Sequence, residues 1–231
     1  MIAGFETRNS SGTIQVDSTQ RNYLLIKSGQ FSWNARDMDN TAKRWAAENP
    51  IGQTGASILM VRSTNPGGVR PSTGSYIGAR KYCNFGYTLL DSGSFQYYIF
   101  DLVAPSLADR FGLQTFDEKG NLTYNALDYP LRILYTGRSG NAHPTTNLLY
   151  TAPHPNIAYG CFSGGKDVNH DDIDVECYYT YLRMAGSSVY TNVIYDEYGS
   201  SDGMGVGNWG DAEMTVGIVD TTNIPLNWSR Q

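Results

Sequence analysis

Charge is what this sequence has least of. Only 17% of its 231 residues are Asp, Glu, Lys or Arg, against roughly 25% in ordinary soluble domains, and Lys is scarce beside Arg. That composition argues against long solvated helices and coiled coils, and also against disorder, which needs high charge and few aromatics. Basic excess is missing too. With 17 basic and 22 acidic residues the formal net charge is −5, so no basic stripe neutralises phosphates and nucleic acid is not expected as a partner. The longest apolar runs, Ile58-Leu59-Met60-Val61 and Tyr97-Tyr98-Ile99-Phe100, fall far short of the roughly 20 residues of a spanning helix, so no membrane insertion is expected. Met1-Ile2-Ala3-Gly4-Phe5-Glu6-Thr7-Arg8 has no basic n-region, which reads as cytoplasmic synthesis without a signal peptide.

Cysteine is sparse and unpatterned. Cys83, Cys161 and Cys177 are odd in number and show no CxxC spacing, which speaks against a disulfide framework or zinc site and for buried, reduced thiols. His143 and His154 each precede a proline, the setting of an extended loop more than of a catalytic base. Gly203-Met204-Gly205-Val206-Gly207 lacks a lysine and a following helical pattern, so it does not read as a phosphate cradle. Acidic residues cluster once, between Asp167 and Glu176. Their spacing is not that of an EF-hand loop, and Asp172, Asp174 and Glu176 alternate like one face of a solvated edge strand. No catalytic residue, metal or cofactor is assigned, and no enzymatic activity is expected. A carboxylate pair for glycoside hydrolysis stays open, because its roughly 5–10 Å separation is a spatial matter.

What is abundant is glycine, with 25 residues, and tyrosine, with 17, a balance that favours strands and turns. The chain also repeats itself. Residues Gly4 to Asp17 align without gaps on Gly112 to Asn125 at an offset of 108, with Gly4/Gly112, Thr7/Thr115 and Gly12/Gly120 identical, and the offset carries on to Leu25–Gly29 and Ile133–Gly137. Asn9-Ser10-Ser11-Gly12 and Asp117-Glu118-Lys119-Gly120 have the type I turn preference with a left-handed glycine, so each copy opens with a hairpin. Third strands follow at Tyr23–Ile26 and Leu131–Tyr135, and closing strands at Ser94–Asp101 and Ala212–Asp220. Between them lie candidates at Ser57–Arg62, Tyr76–Tyr82, Gly86–Leu90, Ile157–Phe162, Val175–Met184 and Val189–Tyr195. One helix is predicted, over Asp37–Glu48, where Met38, Ala42, Trp45 and Ala46 recur at helical spacing before Pro50. The expectation is an all-β chain of two tandem β-sandwich-like domains, 1–108 and 109–231, with at most that one helix. The second is longer through loops at Arg138–Pro155 and Asp196–Asp211.

Within the second of those loops, Tyr198, Asp202 and Trp209 stand among glycines, amides and hydroxyls. This mixture suits a polar or glycan ligand on a rigid β scaffold, and equally a contact with a neighbouring subunit.

The segment Gly112-Leu113-Gln114-Thr115-Phe116-Asp117-Glu118-Lys119-Gly120-Asn121-Leu122-Thr123-Tyr124-Asn125, followed by Leu131-Arg132-Ile133-Leu134, resembles the opening of small tail-associated proteins of tailed bacteriophages. The first copy keeps their Asp-Ser as Asp17-Ser18, whereas the second departs from it at Asn125-Ala126. The resemblance implies a virion structural protein of the tail tip, fibre attachment or adsorption apparatus, with β-sandwich modules and no transferable active site. Its partners would be other tail proteins and further copies of itself in a symmetric assembly, with a host-surface glycan or receptor as a further contact. Two other functions remain in view: a carbohydrate-binding, lectin-like module and a surface-polysaccharide hydrolase.

Overall fold

A computed structural model describes residues 6–8, 12, 14–17, 22–34, 45–49, 57–62, 71–77, 80–85, 92–106, 113–138, 147–164, 166–170, 175–198, 207–209 and 214–230. Every regular element among them is a β-strand. The first half contributes β1 (Glu6–Arg8), β2 (Ile14–Asp17), β3 (Leu24–Asn34), β4 (Trp45–Asn49), β5 (Ile58–Arg62), β6 (Pro71–Ile77), β7 (Arg80–Phe85) and β8 (Ser92–Asp101). The second contributes β9 (Gln114–Phe116), β10 (Leu122–Asn125), β11 (Ile133–Arg138), β12 (Asn147–Thr151), β13 (Ile157–Gly164), β14 (Lys166–His170), β15 (Val175–Ala185), β16 (Ser188–Tyr198), β17 (Gly207–Trp209) and β18 (Met214–Asp220).

The opening hairpins match residue for residue. Glu6, Thr7 and Arg8 pair with Asp17, Val16 and Ile14, and Gln114, Thr115 and Phe116 pair with Asn125, Tyr124 and Leu122, so even the one-residue bulge falls at the same place. Both turns contain a glycine in the left-handed region, Gly12 at φ 82° and Gly120 at φ 79°, where a Cβ would be strained. In the second turn Asp117 holds the loop closed. Its Oδ1 accepts from the backbone N–H groups of Lys119 (2.9 Å) and Asn121 (2.8 Å), and its Oδ2 accepts from the Asn121 side-chain amide (2.8 Å).

Those bonds favour the carboxylate, and the Asn121 amide above all holds the Asp117 carboxyl below the ordinary 3.8. A depressed folded pKa means that the contribution of this group is complete above the unfolded value and is lost as pH falls through the folded one. In an NMR titration Asp117 should show a midpoint below 3.8, and Asn121→Ala should move it back up. A midpoint at or above the ordinary value in the native chain would contradict these bonds. The first copy has Asn9 here, which does not titrate.

Six strands form the central sheet, in the order β11-β18-β13-β5-β8-β3, three from each half. Its pairing reads the same from both ends. Leu25 and Lys27 face Phe100 and Ile99 with a bulge between, and Ile133 and Tyr135 face Val219 and Ile218 with a bulge between. Ile58, Leu59 and Met60 face Phe100, Ile99 and Tyr98, as Ala158, Tyr159 and Gly160 face Val219, Ile218 and Gly217. The halves meet where β13 pairs with β5 at Tyr159 and Val61. That register sets Gly160 opposite Met60 at the pseudo-two-fold centre. The lead-in segments of the outer strands pair with each other as well: Leu25 N–H donates to Tyr129 O and Leu131 N–H to Tyr23 O, both at 2.8 Å. Residues 228–230 then run along β3, exchanging backbone bonds with Ser28 and Ile26, which covers an edge that would otherwise invite pairing.

Both faces of this sheet are buried, so its inner strands carry consecutive apolar residues instead of alternating ones. Leu24, Ile26, Leu59, Val61, Ile99, Tyr159 and Ile218 pack on one face with Leu182, Met184 and Val189 of β15 and β16. Leu25, Met60, Phe100, Ala158 and Val219 pack on the other, covered by Tyr129, Ile224 and Trp228.

Two side sheets complete the described chain. One has the order β4-β7-β6 and the other β12-β16-β15-β14-β17, so a three-stranded sheet in the first half stands beside a five-stranded one in the second. Several sequence expectations are corrected here. Trp45–Glu48, the end of the expected helix, is strand β4, with Trp45 to Asn49 paired in unbroken register on Phe85 to Lys81. The pairing partner, invisible locally, overrides the helical spacing. Residues 37–44 lie outside the described residues, as do 86–90. Tyr76–Tyr82 is not one strand, because β6 and β7 reverse direction between Ile77 and Arg80. The expected loop Arg138–Pro155 contains β12, paired with β16. The expected loop Asp196–Asp211 contains the end of β16 and the whole of β17.

Candidate functional site

A concavity is built where the second hairpin, β9–β10, leads into β11. After β10 the chain turns on Asn125, whose side chain is fully buried. Its amide nitrogen donates to Ser106 O (2.8 Å) and its Oδ1 accepts from Leu127 N–H (3.1 Å). That turn presents Leu127 and Asp128. Asp128 is fixed from behind, with Oδ2 accepting from Ser106 N–H at 3.0 Å and Oδ1 lying 3.3 Å from Arg230 Nη1. Tyr129 follows, its ring edge-on to Trp228 with centroids 5.5 Å apart, which fixes the ring without closing its other side.

The facing wall comes from the end of β18. Asp220 Oδ1 accepts from Thr222 N–H (2.7 Å), Ile224 N–H donates to Thr221 O (3.1 Å), and Asn223 sits at φ 65°, a conformation asparagine tolerates. Arg132 spans the two walls. Its Nη1 is 3.3 Å from Asp220 Oδ2 and its Nη2 donates to Thr222 O. Between the walls lies a cavity of about 390 Å³ lined by Tyr124, Leu127, Tyr129, Arg132 and Asn223 among others. The Tyr124 hydroxyl is pushed up from 10.0, by burial first, with Asp128 adding to the rise and Arg132 opposing it, so it is a protonated donor at neutral pH. His154, expected as a loop residue, lies in the bend before β13 with Nε2 3.7 Å from Asp220 Oδ1.

The pocket was not among the sequence-derived candidates. Of those, Tyr198 ends β16, paired with Val175, and Trp209 ends β17, paired with Val168. Both belong to the five-stranded sheet, but Val175 and His170 stand between Tyr198 and Gly207 in one cross-strand row. Three strand spacings, roughly 14 Å, separate those two backbones. Asp202 lies outside the described residues, as does 171–174 of the acidic segment. One sequence signal did point to the cavity: Leu131-Arg132-Ile133 occupies the place of Tyr23-Leu24-Leu25 in the other copy, so a cation replaces a leucine inside an apolar strand.

Comparison of the chain with protein-family descriptions, characterised proteins and solved structures finds no match.

Proposed function

We propose that this protein is a structural component of a bacteriophage tail, at the tail tip, fibre attachment or receptor-contacting end, acting by binding surfaces and not by catalysis. Residues 1–108 and 109–231 are in this reading two copies of one β-sandwich-like module. The first docks to the tail machinery, and the second faces neighbouring subunits or the host surface. The single observation that supports it best lies in the hairpin that carries the family resemblance. Leu113 (53% exposed), Phe116 (51%) and Leu127 (51%) present apolar side chains to solvent within one short, rigidly turned segment. Large exposed apolar groups concentrated in this way mark surfaces that neighbours cover.

Incorporation into particles tests the reading. Antibody raised against the purified chain should decorate the tail ends of the phage that encodes it, and mass spectrometry of purified virions should find the chain at constant stoichiometry. Phe116→Asp should leave the isolated protein folded and lower its incorporation at least tenfold. Virions that lack the protein, or that incorporate Phe116→Asp at the native level, would refute the proposal.

A further inference from the structure

The internal duplication supplies a control for the cavity, because each wall has a counterpart in the first copy. Arg132 corresponds to Leu24 at the offset of 108, and Leu24 is 0% exposed in the apolar core. Asp220 corresponds to Asp101, since Val219 and Phe100 occupy the same register positions. Two residues beyond each aspartate, Thr222 corresponds to Val103, which is also buried in the core. The aspartates have taken different partners. Asp101 is fully buried and accepts from Ser57 Oγ at 2.6 Å, whereas Asp220 faces Arg132 at the cavity wall. One fold position is thus closed by leucine and valine in the first copy and opened by arginine and threonine in the second.

We infer that the cavity bounded by Tyr124, Leu127, Tyr129, Arg132 and Asn223 binds a neutral sugar residue. Its two charges are already compensated on the protein side, Arg132 by Asp220 and Asp128 by Arg230, so an ionic ligand finds no unbalanced counter-charge. The unused N–H groups of Arg132, the Asn223 amide, the Tyr124 hydroxyl and the Asp128 carboxylate together supply donors and acceptors around a rim, as a polyol requires. Tyr129, Pro130 and Ile224 supply an apolar floor for the C–H face of a pyranose, with Leu127 at the rim. The volume, about 390 Å³, lies at the small end of the roughly 300–1,000 Å³ of ligand sites. Both walls are pinned by hydrogen bonds before any ligand arrives, which lowers the entropic cost of binding. A ligand of about a dozen heavy atoms should bind with a Kd of about 1 mM.

This inference does not rest on the tail assignment, because the purified full-length chain suffices to test it. Saturation-transfer NMR with methyl glycosides of glucose, galactose, mannose and N-acetylglucosamine should show transfer to at least one of them. Leu127→Trp, at an exposed rim position, should fill the mouth and weaken that binding at least tenfold. Tyr124→Phe should weaken it roughly threefold to tenfold, and Leu148→Trp, at an exposed leucine of β12, should leave it unchanged. Circular dichroism confirms folding of each variant, and if Leu127→Trp fails to fold, Tyr124→Phe decides. No transfer to any glycoside at about 20 mM, unchanged affinity in the folded rim variant, or binding of short peptides but of no sugar would each overturn the assignment.

Discussion

Replacing Gly160 by alanine should destabilise the protein by about 3 kcal/mol, at the upper end of the cost of overpacking a core. A Cβ on this residue would fall 2.5 Å from Met60 Sδ and 2.7 Å from Leu59 O, both inside van der Waals contact. The position is the pseudo-two-fold centre of the six-stranded sheet, buried on every side, and the nearer backbone atom belongs to a strand that cannot retreat without breaking its pairing to β8. Alanine in a strand gains about 0.5–1 kcal/mol over glycine through lost unfolded-state entropy, and the clash outweighs that gain. For a chain of this size the melting temperature should drop by roughly 6–12 °C. Adding Met60→Ala should not restore it, because the Leu59 carbonyl remains in the way and a cavity is created besides. Thermal and urea unfolding measure both. A Gly160→Ala protein within about 0.5 kcal/mol of the native chain would show that β5 and β13 do not approach this closely.

Tyr159→Ala should cost more, about 4 kcal/mol. Tyr159 is the largest fully buried side chain among the described residues. It stands on β13 beside the centre of the sheet and packs with Leu182, Met184 and Val189 of the five-stranded sheet, and its hydroxyl donates to Leu182 O at 3.1 Å. Truncation therefore empties the contact between the two sheets. Tyr159→Phe keeps the ring and loses only the hydrogen bond, so about 1 kcal/mol is expected. Against a total stability of roughly 5–15 kcal/mol the two variants differ enough to separate packing from hydrogen bonding by urea unfolding. Equal losses in both would mean that the hydroxyl, and not the ring, joins the sheets.

The parts of the fold that were legible in the sequence are the local ones. Asp117 and Gly120 lie three residues apart and close the same turn, so their chemistry was visible without knowledge of any partner. The closing strands were legible because both of their faces are buried and leave an unbroken apolar run. Strand β4 was misread as helix because Trp45, Ala46, Ala47 and Glu48 have no period-2 pattern of their own, and their state is decided by β7, more than thirty residues away. Strands β12 and β17 were hidden inside expected loops for the same reason. The correspondence of β5 with β13 was also invisible. Their register-matched residues, Leu59 and Tyr159, are separated by a different interval from Leu25 and Ile133, so the constant offset in the sequence does not reach them.

The candidate site follows the same logic. Tyr198 and Trp209 stood out because they sit close together in the chain, but the ladder places two strands between theirs. Arg132 and Thr222 are 90 residues apart and touch, since β11 and β18 are neighbours in the central sheet.

By itself the sequence determined most of the strands among the described residues and two matching hairpins, because turn geometry and strand burial are written in residues a few positions apart. Only the tertiary structure decided that three strands from each half close on one another in a single sheet, and that Arg132 and Thr222, far apart in the chain, meet at one cavity wall. Hydrogen-bond ladders reward contacts between segments far apart in the chain, and the side chains at any one position do not specify which distant strand will meet them.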